Sequence, residues 1–228
     1  MYSQADAARL LGMRPARLRR WIHGYTYRPG PASPELRHRD PVVFSDVPRV
    51  DGQIALSFLE LMELRVVMRL VQFPGISLQK VRKAGDVASD LLETRHPFAS
   101  RRIFTDGRDI LAALEAGSSA ESDLVELTHS RASQIVSAEL MRPILEEIDY
   151  SEETTLAELW WPRTKAVPIV LNPRIMFGAP TIASTRITTS VLARLAAHDK
   201  DDVVATAYDI STDAVRHAVE FEATLLAA

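Results

Sequence analysis

Residues 2–22 read YSQADAARLLGMRPARLRRWI, and this stretch decides the fold of the N-terminal part of the chain. Ser3 and Asp6 stand at the spacing of a capping box, which begins a helix. Gly12 permits the left-handed turn that ends a helix, and Pro15 suits the first position of the next one. The stretch therefore predicts two short helices joined by a three-residue turn, which is a helix-turn-helix.

The second predicted helix separates apolar side chains from basic ones. Leu18, Trp21 and Ile22 recur at positions i, i+3 and i+4, so they predict one buried face. Arginines occupy the other faces, where their planar groups of donors suit phosphates and guanine edges. The residues of this helix and its start that we expect to contact DNA are Arg14, Arg17, Arg19 and Arg20.

The same stretch resembles the N-terminal winged helix-turn-helix of the MerR family. The residues that match the family pattern are Tyr2, Ser3, Ala8, Leu10, Gly12, Met13, Leu18, Arg19, Arg20 and Trp21. The sequence departs from the pattern at Arg14, where the family has a serine cap, and at Arg20–Trp21, which replaces a tyrosine pair. The resemblance covers residues 2–92 and implies DNA binding, whereas the family's long coiled coil is missing here.

A segment rich in proline, glycine, arginine and aromatic residues follows at residues 23–45 and suits a wing. Residues 41–44, Pro-Val-Val-Phe, predict the strand that returns from the wing. The wing residues that we expect to face the DNA backbone are Tyr27, Arg28, Arg37 and Arg39.

Two more helices follow the wing in MerR-like proteins, and the sequence from Gly75 to Val81 matches the family's step between them. Ser77 would cap the second of these helices. Its predicted apolar stripe is Leu78, Val81, Ala84, Val87 and Leu91. The earlier helix, over residues 56–71, is apolar on more than one face, so it belongs to the core or also contacts a second subunit.

Formal charge is distributed unevenly along the chain. Residues 1–50 contain nine arginines and four acidic residues, whereas the whole chain has a net charge of −3. Residues 188–228 contain three basic and seven acidic residues. A phosphate backbone repels an acidic surface, so the N-terminal part is the better candidate for DNA binding, unless it is merely a basic surface.

The middle of the chain carries weaker signals. Short strands are predicted at 102–105 and 123–127, a loop at 116–120, and a helix from Val136 to Ile148. Trp160 and Trp161 belong either to the core or to a surface that contacts a partner.

The C-terminal part resembles the domain-of-unknown-function family 433. The residues that match the motif are Asn172, Pro173, Arg174, Ile175, Gly178, Pro180, Ile182, Thr185, Arg186, Ile187, Tyr208, Ile210, Ser211 and Val215. The pattern also predicts two strands, at 167–171 and 180–183, followed by three helices, the third capped by Ser211.

This second resemblance implies an antitoxin of a VapBC-type toxin–antitoxin pair. Such antitoxins neutralise a PIN-domain ribonuclease toxin and repress their own operon. Arg174 or Arg186 could block the acidic metal site of the toxin, although Arg186 could equally form a structural ion pair. The alternatives are a stand-alone regulator without a toxin partner and an interaction module without a role on nucleic acid.

The remaining composition argues against catalysis. The chain has no cysteine, and its six histidines show no metal-ligand spacing. No nucleophile elbow, P-loop or dinucleotide motif is present, so we expect no enzyme and no cofactor. No apolar run is long enough to span a membrane, and together with the missing cysteine this predicts a cytoplasmic location.

The sequence thus predicts a mainly α, α+β protein. We expect a winged helix-turn-helix over residues 1–95, a connecting α/β segment over 96–166, and a small-strand and three-helix domain over 167–228. We further expect a homodimer that binds a double-stranded operator, because helix-turn-helix proteins commonly bind paired half-sites as dimers.

Overall fold

The computed structural model describes residues 1–30, 34–43, 55–73, 76–105, 142–144 and 146–227. The chain divides into two compact units, Tyr2–Ala138 and Glu139–Ala228 with Met1. Helices and two small antiparallel sheets together give the mixed α+β architecture that the sequence predicts.

The N-terminal unit begins with the two predicted helices, α1 (Gln4–Leu11) and α2 (Pro15–His23). The Ser3 hydroxyl caps α1 by accepting a backbone N–H of the first turn at 3.1 Å. Gly12 closes α1 in the left-handed conformation with φ of 60°, and Pro15 opens α2. The two predicted helices and the turn between them are therefore present, and the apolar face of α2 is buried as predicted.

A two-stranded hairpin follows α2, formed by β1 (Tyr25–Tyr27) and β2 (Arg37–Arg39). Gly24 lies between α2 and the hairpin with φ of 68°, and a Cβ atom added there would overlap the carbonyl oxygen of Arg39. Only glycine fits this close approach of two backbones.

The predicted returning strand at 41–44 is wrong within the described residues, because β2 ends before it. Val42 and Val43 are instead buried, and the Val42 N–H donates to the carbonyl of Trp21 at 2.7 Å. Their β-branched side chains are typical of a strand, but both residues are buried outside any strand. Phe44 lies outside the described residues.

Two longer helices complete the described core of this unit, α3 (Phe58–Leu70) and α4 (Leu78–Leu92). Ser57 and Glu60 form a reciprocal capping box at the start of α3. The Ser77 hydroxyl accepts a backbone N–H at 3.3 Å and caps α4 as predicted. Helix α3 is buried over most of its surface, which confirms that it is a core helix.

The buried stripe of α4 differs from the predicted one. Its buried residues are Val81, Ala84, Ala88 and Leu92. Leu91, which was predicted to be buried, is 55% exposed. Gly85 lies against the Phe98 ring, which fills the space that a side chain would need.

Two short 3₁₀ helices follow α4, at Pro97–Ala99 and Arg101–Phe104. The predicted strand at 102–105 is therefore wrong. Ile103 and Phe104 are both buried, so their side chains fill the core from a tight turn. The predicted strand at 123–127 and loop at 116–120 lie outside the described residues.

The C-terminal unit contains a four-stranded antiparallel sheet in sequence order. Its strands are β3 (Ile148–Tyr150), β4 (Ala157–Trp160), β5 (Ile169–Leu171) and β6 (Pro180–Ile182). The two strands that the sequence predicts correspond to β5 and β6. The predicted helix is wrong at its end, because Ile148 begins β3, where its buried side chain joins the sheet. The sheet begins before residue 167, where we placed a domain boundary.

Three helices follow the sheet, as predicted: α5 (Thr189–Ala196), α6 (Asp201–Tyr208) and α7 (Thr212–Ala227). Ser211 caps α7 by accepting the Ala214 N–H at 3.1 Å. Helix α7 packs against α5 and α6. None of the described helices is long and apolar enough to cross a membrane.

Candidate nucleic-acid interface

The basic side chains of α2 lie on its solvent face. Arg14, Arg17, Arg19 and Arg20 are all exposed. Within the described part of the chain, none of these four arginines forms an ion pair. The described residues therefore leave the charge of these four arginines available to an anionic partner.

Aromatic rings hold two of these arginines in place. The Arg17 guanidinium lies 4.8 Å from the ring centre of Trp21, and that of Arg20 lies 5.4 Å from the ring of Tyr25. Each contact is worth about 0.5–1 kcal/mol at an exposed site, and it restricts the rotamers of a long side chain. The two guanidinium groups are thus partly ordered before any ligand arrives.

A groove runs beside this face of α2. It encloses about 640 Å³, and its lining includes Arg14, Arg17 and Arg20 on one side and Ile76 and Leu78 at the start of α4 on the other. The groove combines apolar walls with three cationic groups. This arrangement suits an extended polyanion better than a small neutral molecule.

The hairpin carries the second predicted group of residues. Arg28 and Arg37 are exposed, whereas Tyr27 and Arg39 are half-buried. The Arg39 guanidinium lies 5.4 Å from the Tyr27 ring centre, so these two residues form one unit on the hairpin. Arg37 lies 3.7 Å from the Glu35 carboxylate, which reduces the positive charge it presents.

The C-terminal candidates have different surroundings. Trp160 was a candidate for partner contact, and this is corrected, because its indole is 2% exposed in the core of the sheet unit. The Trp161 indole N–H donates to the Asp149 carboxylate at 2.7 Å, and Trp161 is half-buried. The tryptophan pair is therefore divided between the core and the unit's surface.

The two candidate arginines of this unit differ in their partners. Arg174 lies 2.7 Å from the Glu158 carboxylate in an ion pair. Arg186 is exposed and forms no ion pair with any described residue. The ion pair that we considered for Arg186 is therefore not observed among the described residues.

Sequence reasoning missed a buried acid–base pair in the N-terminal unit. The Glu63 carboxylate on α3 is 3% exposed and lies 3.0 Å from Nδ1 of His96. Burial raises the pKa of Glu63, and the neighbouring His96 opposes that rise. Helix α3 carries two acids in a largely apolar sequence, and Glu60 belongs to the capping box. Glu63 is the acid without a capping role, which is the signal that could have found it. Across the described ranges, no cluster of side chains could hold a metal ion.

Two comparisons of the sequence with known proteins concern the C-terminal unit and the chain as a whole. Residues 169–221 match the family model described as "Protein of unknown function (DUF433)". The chain is 27% identical over 226 residues to "Putative antitoxin VapB45" of Mycobacterium tuberculosis, covering 96% of this chain and 92% of that protein.

A solved structure has a similar fold. The crystal structure of Rv2018 from Mycobacterium tuberculosis gives a TM-score of 0.68 at 22% identity, covering 96% of both chains. At this identity the likeness concerns the fold alone. The chain thus matches the DUF433 family model over residues 169–221, and along nearly its whole length it is similar to a protein named "Putative antitoxin VapB45".

Proposed function

We propose that this protein is the antitoxin of a type II toxin–antitoxin pair, which binds double-stranded DNA at its own operator and holds a PIN-domain ribonuclease inactive. Similarity over 96% of the chain to a protein named as an antitoxin supports the antitoxin role. The observation that carries the DNA-binding part is the exposed, unneutralised set of arginines on α2.

In the proposed complex, α2 enters a major groove and the hairpin lies on the adjacent backbone. A major groove admits one helix, and arginine can bond guanine edges with both arms of its guanidinium. Arg17 and Arg20 lie one turn apart on the exposed face, so both can reach the same groove. Arg39, held on Tyr27, then contacts phosphate and fixes the register.

We assign toxin contact or dimerisation to the acidic C-terminal helices. Asp201 and Asp202 lie in the first turn of α6, and Asp213 lies in the first turn of α7. These carboxylates would repel a phosphate backbone. A homodimer would place two copies of α2 on half-sites about one helical turn apart.

For the toxin, the free guanidinium of Arg186 is a better candidate than Arg174. PIN-type ribonucleases are inhibited in this proposal by an arginine that enters their acidic metal site. Arg174 would first have to leave the Glu158 carboxylate, whereas Arg186 forms no ion pair with a residue that the structure describes. Its position between β6 and α5 places it on the surface of the DUF433 domain.

Co-expression with the adjacent reading frame tests the antitoxin role. We expect that frame to arrest growth and this protein to restore it, with Arg186→Ala weakening the rescue more than Arg174→Ala. Salt-dependent binding of the upstream DNA tests the other part. DNA binding without any rescue would favour the stand-alone regulator, and failure of both experiments would contradict the proposal.

A further inference from the structure

A second cavity lies in the N-terminal unit, away from the solvent face of α2. It encloses about 310 Å³ and is bounded by β2 with the residues after it, by α4, and by the segment from Arg95 to Phe98. Small-molecule sites begin at about 300 Å³, so this cavity has room for a small metabolite. Its walls are rich in charged groups, which is unusual for a space left by imperfect packing.

Arg82 on α4 is the decisive residue of this cavity. Its Nε–H donates to the carbonyl of Pro41 at 3.4 Å, which fixes the side chain against the segment after β2. Its Nη2 atom is buried and has no hydrogen-bond partner among the described residues. A buried donor without an acceptor is costly, and more so when the group is charged.

A second cation increases this cost. Arg39 lines the same cavity, and its charge opposes that of Arg82. Burial lowers the pKa of Arg82, Arg39 lowers it further, and Tyr25 and Asp40 act in the other direction. An anion in the cavity would accept the bond that Nη2 lacks and would offset the repulsion between the two guanidinium groups.

The acidic residues of the cavity restrict the ligand further. Asp86 lies one helical turn after Arg82 and lines the same space, as does the buried Glu63. Burial and the nearby Asp90 and Asp40 carboxylates raise the pKa of Asp86. A ligand that brings a hydroxyl or N–H group to this side would be favoured over a bare anion.

We propose that this cavity is a binding site for a small oxyanion that also carries a hydrogen-bond donor, with the Arg82 guanidinium as its central contact. Phosphate monoesters and hydroxy-carboxylates both have this chemistry. Bound between Arg82 and Arg39, the oxyanion connects α4 to the hairpin strand that we expect on the DNA backbone. The site belongs to the free protein and does not rest on the proposed DNA binding.

Calorimetric titration with inorganic phosphate tests the site, at an ionic strength held constant with chloride. We expect saturable binding by the wild type and a Kd at least about tenfold higher for Arg82→Met, which keeps the apolar stem but removes the charge. Lys80→Gln, on the same helix but outside the cavity lining, makes the same change in net charge and should alter Kd less than about twofold. Circular dichroism reports whether each variant is folded, and Arg39→Gln replaces Arg82→Met if the latter unfolds.

The titration is then repeated with the upstream DNA duplex present. Phosphate binding that persists with bound duplex supports a free small molecule as the ligand. Binding that is lost shows that the duplex competes for Arg39, because a phosphodiester backbone offers an anion but no hydrogen-bond donor for the Asp86 side of the cavity. Phosphate binding without any DNA binding would leave this site intact while the proposed operator function fails. The inference is overturned if the wild type binds no phosphate up to about 20 mM, or if Arg82→Met and Arg39→Gln bind it like the wild type.

Discussion

The double replacement Arg17→Ala and Arg20→Ala should separate DNA binding from folding. Both side chains lie on the exposed face of α2, and the apolar face with Leu18 and Trp21 is untouched. The change removes two positive charges from each protomer without opening a cavity in the core. It therefore tests the electrostatic argument directly.

The size of the effect follows from the contacts that are lost. A good arginine contact to a base contributes about 1–3 kcal/mol, so two lost contacts raise Kd by at least about 30-fold. If they are phosphate contacts instead, the slope of log K against log salt falls by about 1.8 per protomer. The two cation–π contacts are worth about 0.5–1 kcal/mol each, and the better helix propensity of alanine offsets a small part of their loss.

Fluorescence anisotropy with a labelled upstream duplex, measured between about 50 and 200 mM salt, gives both the affinity and the slope. The matched control is Arg194→Ala with Arg216→Ala in the C-terminal unit, which makes the same change in net charge. Wild-type affinity and slope in the α2 variant would refute the reasoning, and so would an equal loss in the control.

Further predictions concern stability and the toxin. Leu18→Ala should lower the free energy of unfolding by about 2–5 kcal/mol in denaturant titrations, because Leu18 is fully buried, and a loss below about 1 kcal/mol would contradict its role in the core. Ser57→Ala should cost about 1 kcal/mol in the same assay by removing the capping box of α3, and no change would show that the cap is dispensable. Because burial raises the pKa of Glu63 above its usual 4.5, its contribution to stability is fully present below that pH and is lost as pH rises through the raised value. Glu63→Gln should therefore flatten the decline of Tm with rising pH, and an unchanged decline would assign it to other groups. Arg174→Ala should change the unfolding free energy by less than about 1 kcal/mol, since its ion pair is largely exposed, and a larger loss would disqualify it as a probe of toxin binding.

Local signals predicted the ends of the first two helices correctly because they act over a few residues. Ser3, Gly12 and Pro15 each determine backbone geometry at their own position, and no distant contact overrides them. The same holds for Ser77 and Ser211, which cap the helices that follow them. The start of α7 was predictable for this reason.

The errors fall where distant packing decides the outcome. The register of α4 depends on the Phe98 ring, which meets Gly85 from a segment beyond the helix. Val42 and Val43 have strand-like composition, but they are buried outside any strand, and the Val42 N–H donates to the carbonyl of Trp21 on α2. Periodicity within a window contains no information about such partners.

The candidate nucleic-acid interface likewise combines features that local sequence determines with features that depend on distant contacts. The exposure of Arg17 and Arg20 follows from the spacing of the buried face on α2. The ring contacts that order them needed the structure, because Tyr25 lies beyond the helix end. The cavity around Arg82 was not predictable, since it joins residues about 40 positions apart in the chain.

The close approach at Gly24 has a consequence for how DNA would be read. Because the backbone there touches the carbonyl of Arg39, the helix and the hairpin cannot turn independently of each other. The backbone positions that carry the guanidinium groups of the helix and of the hairpin are then held at a fixed separation. We expect the duplex to make the adjustment, so operators that widen or bend with little cost should be preferred over stiff ones with the same base contacts.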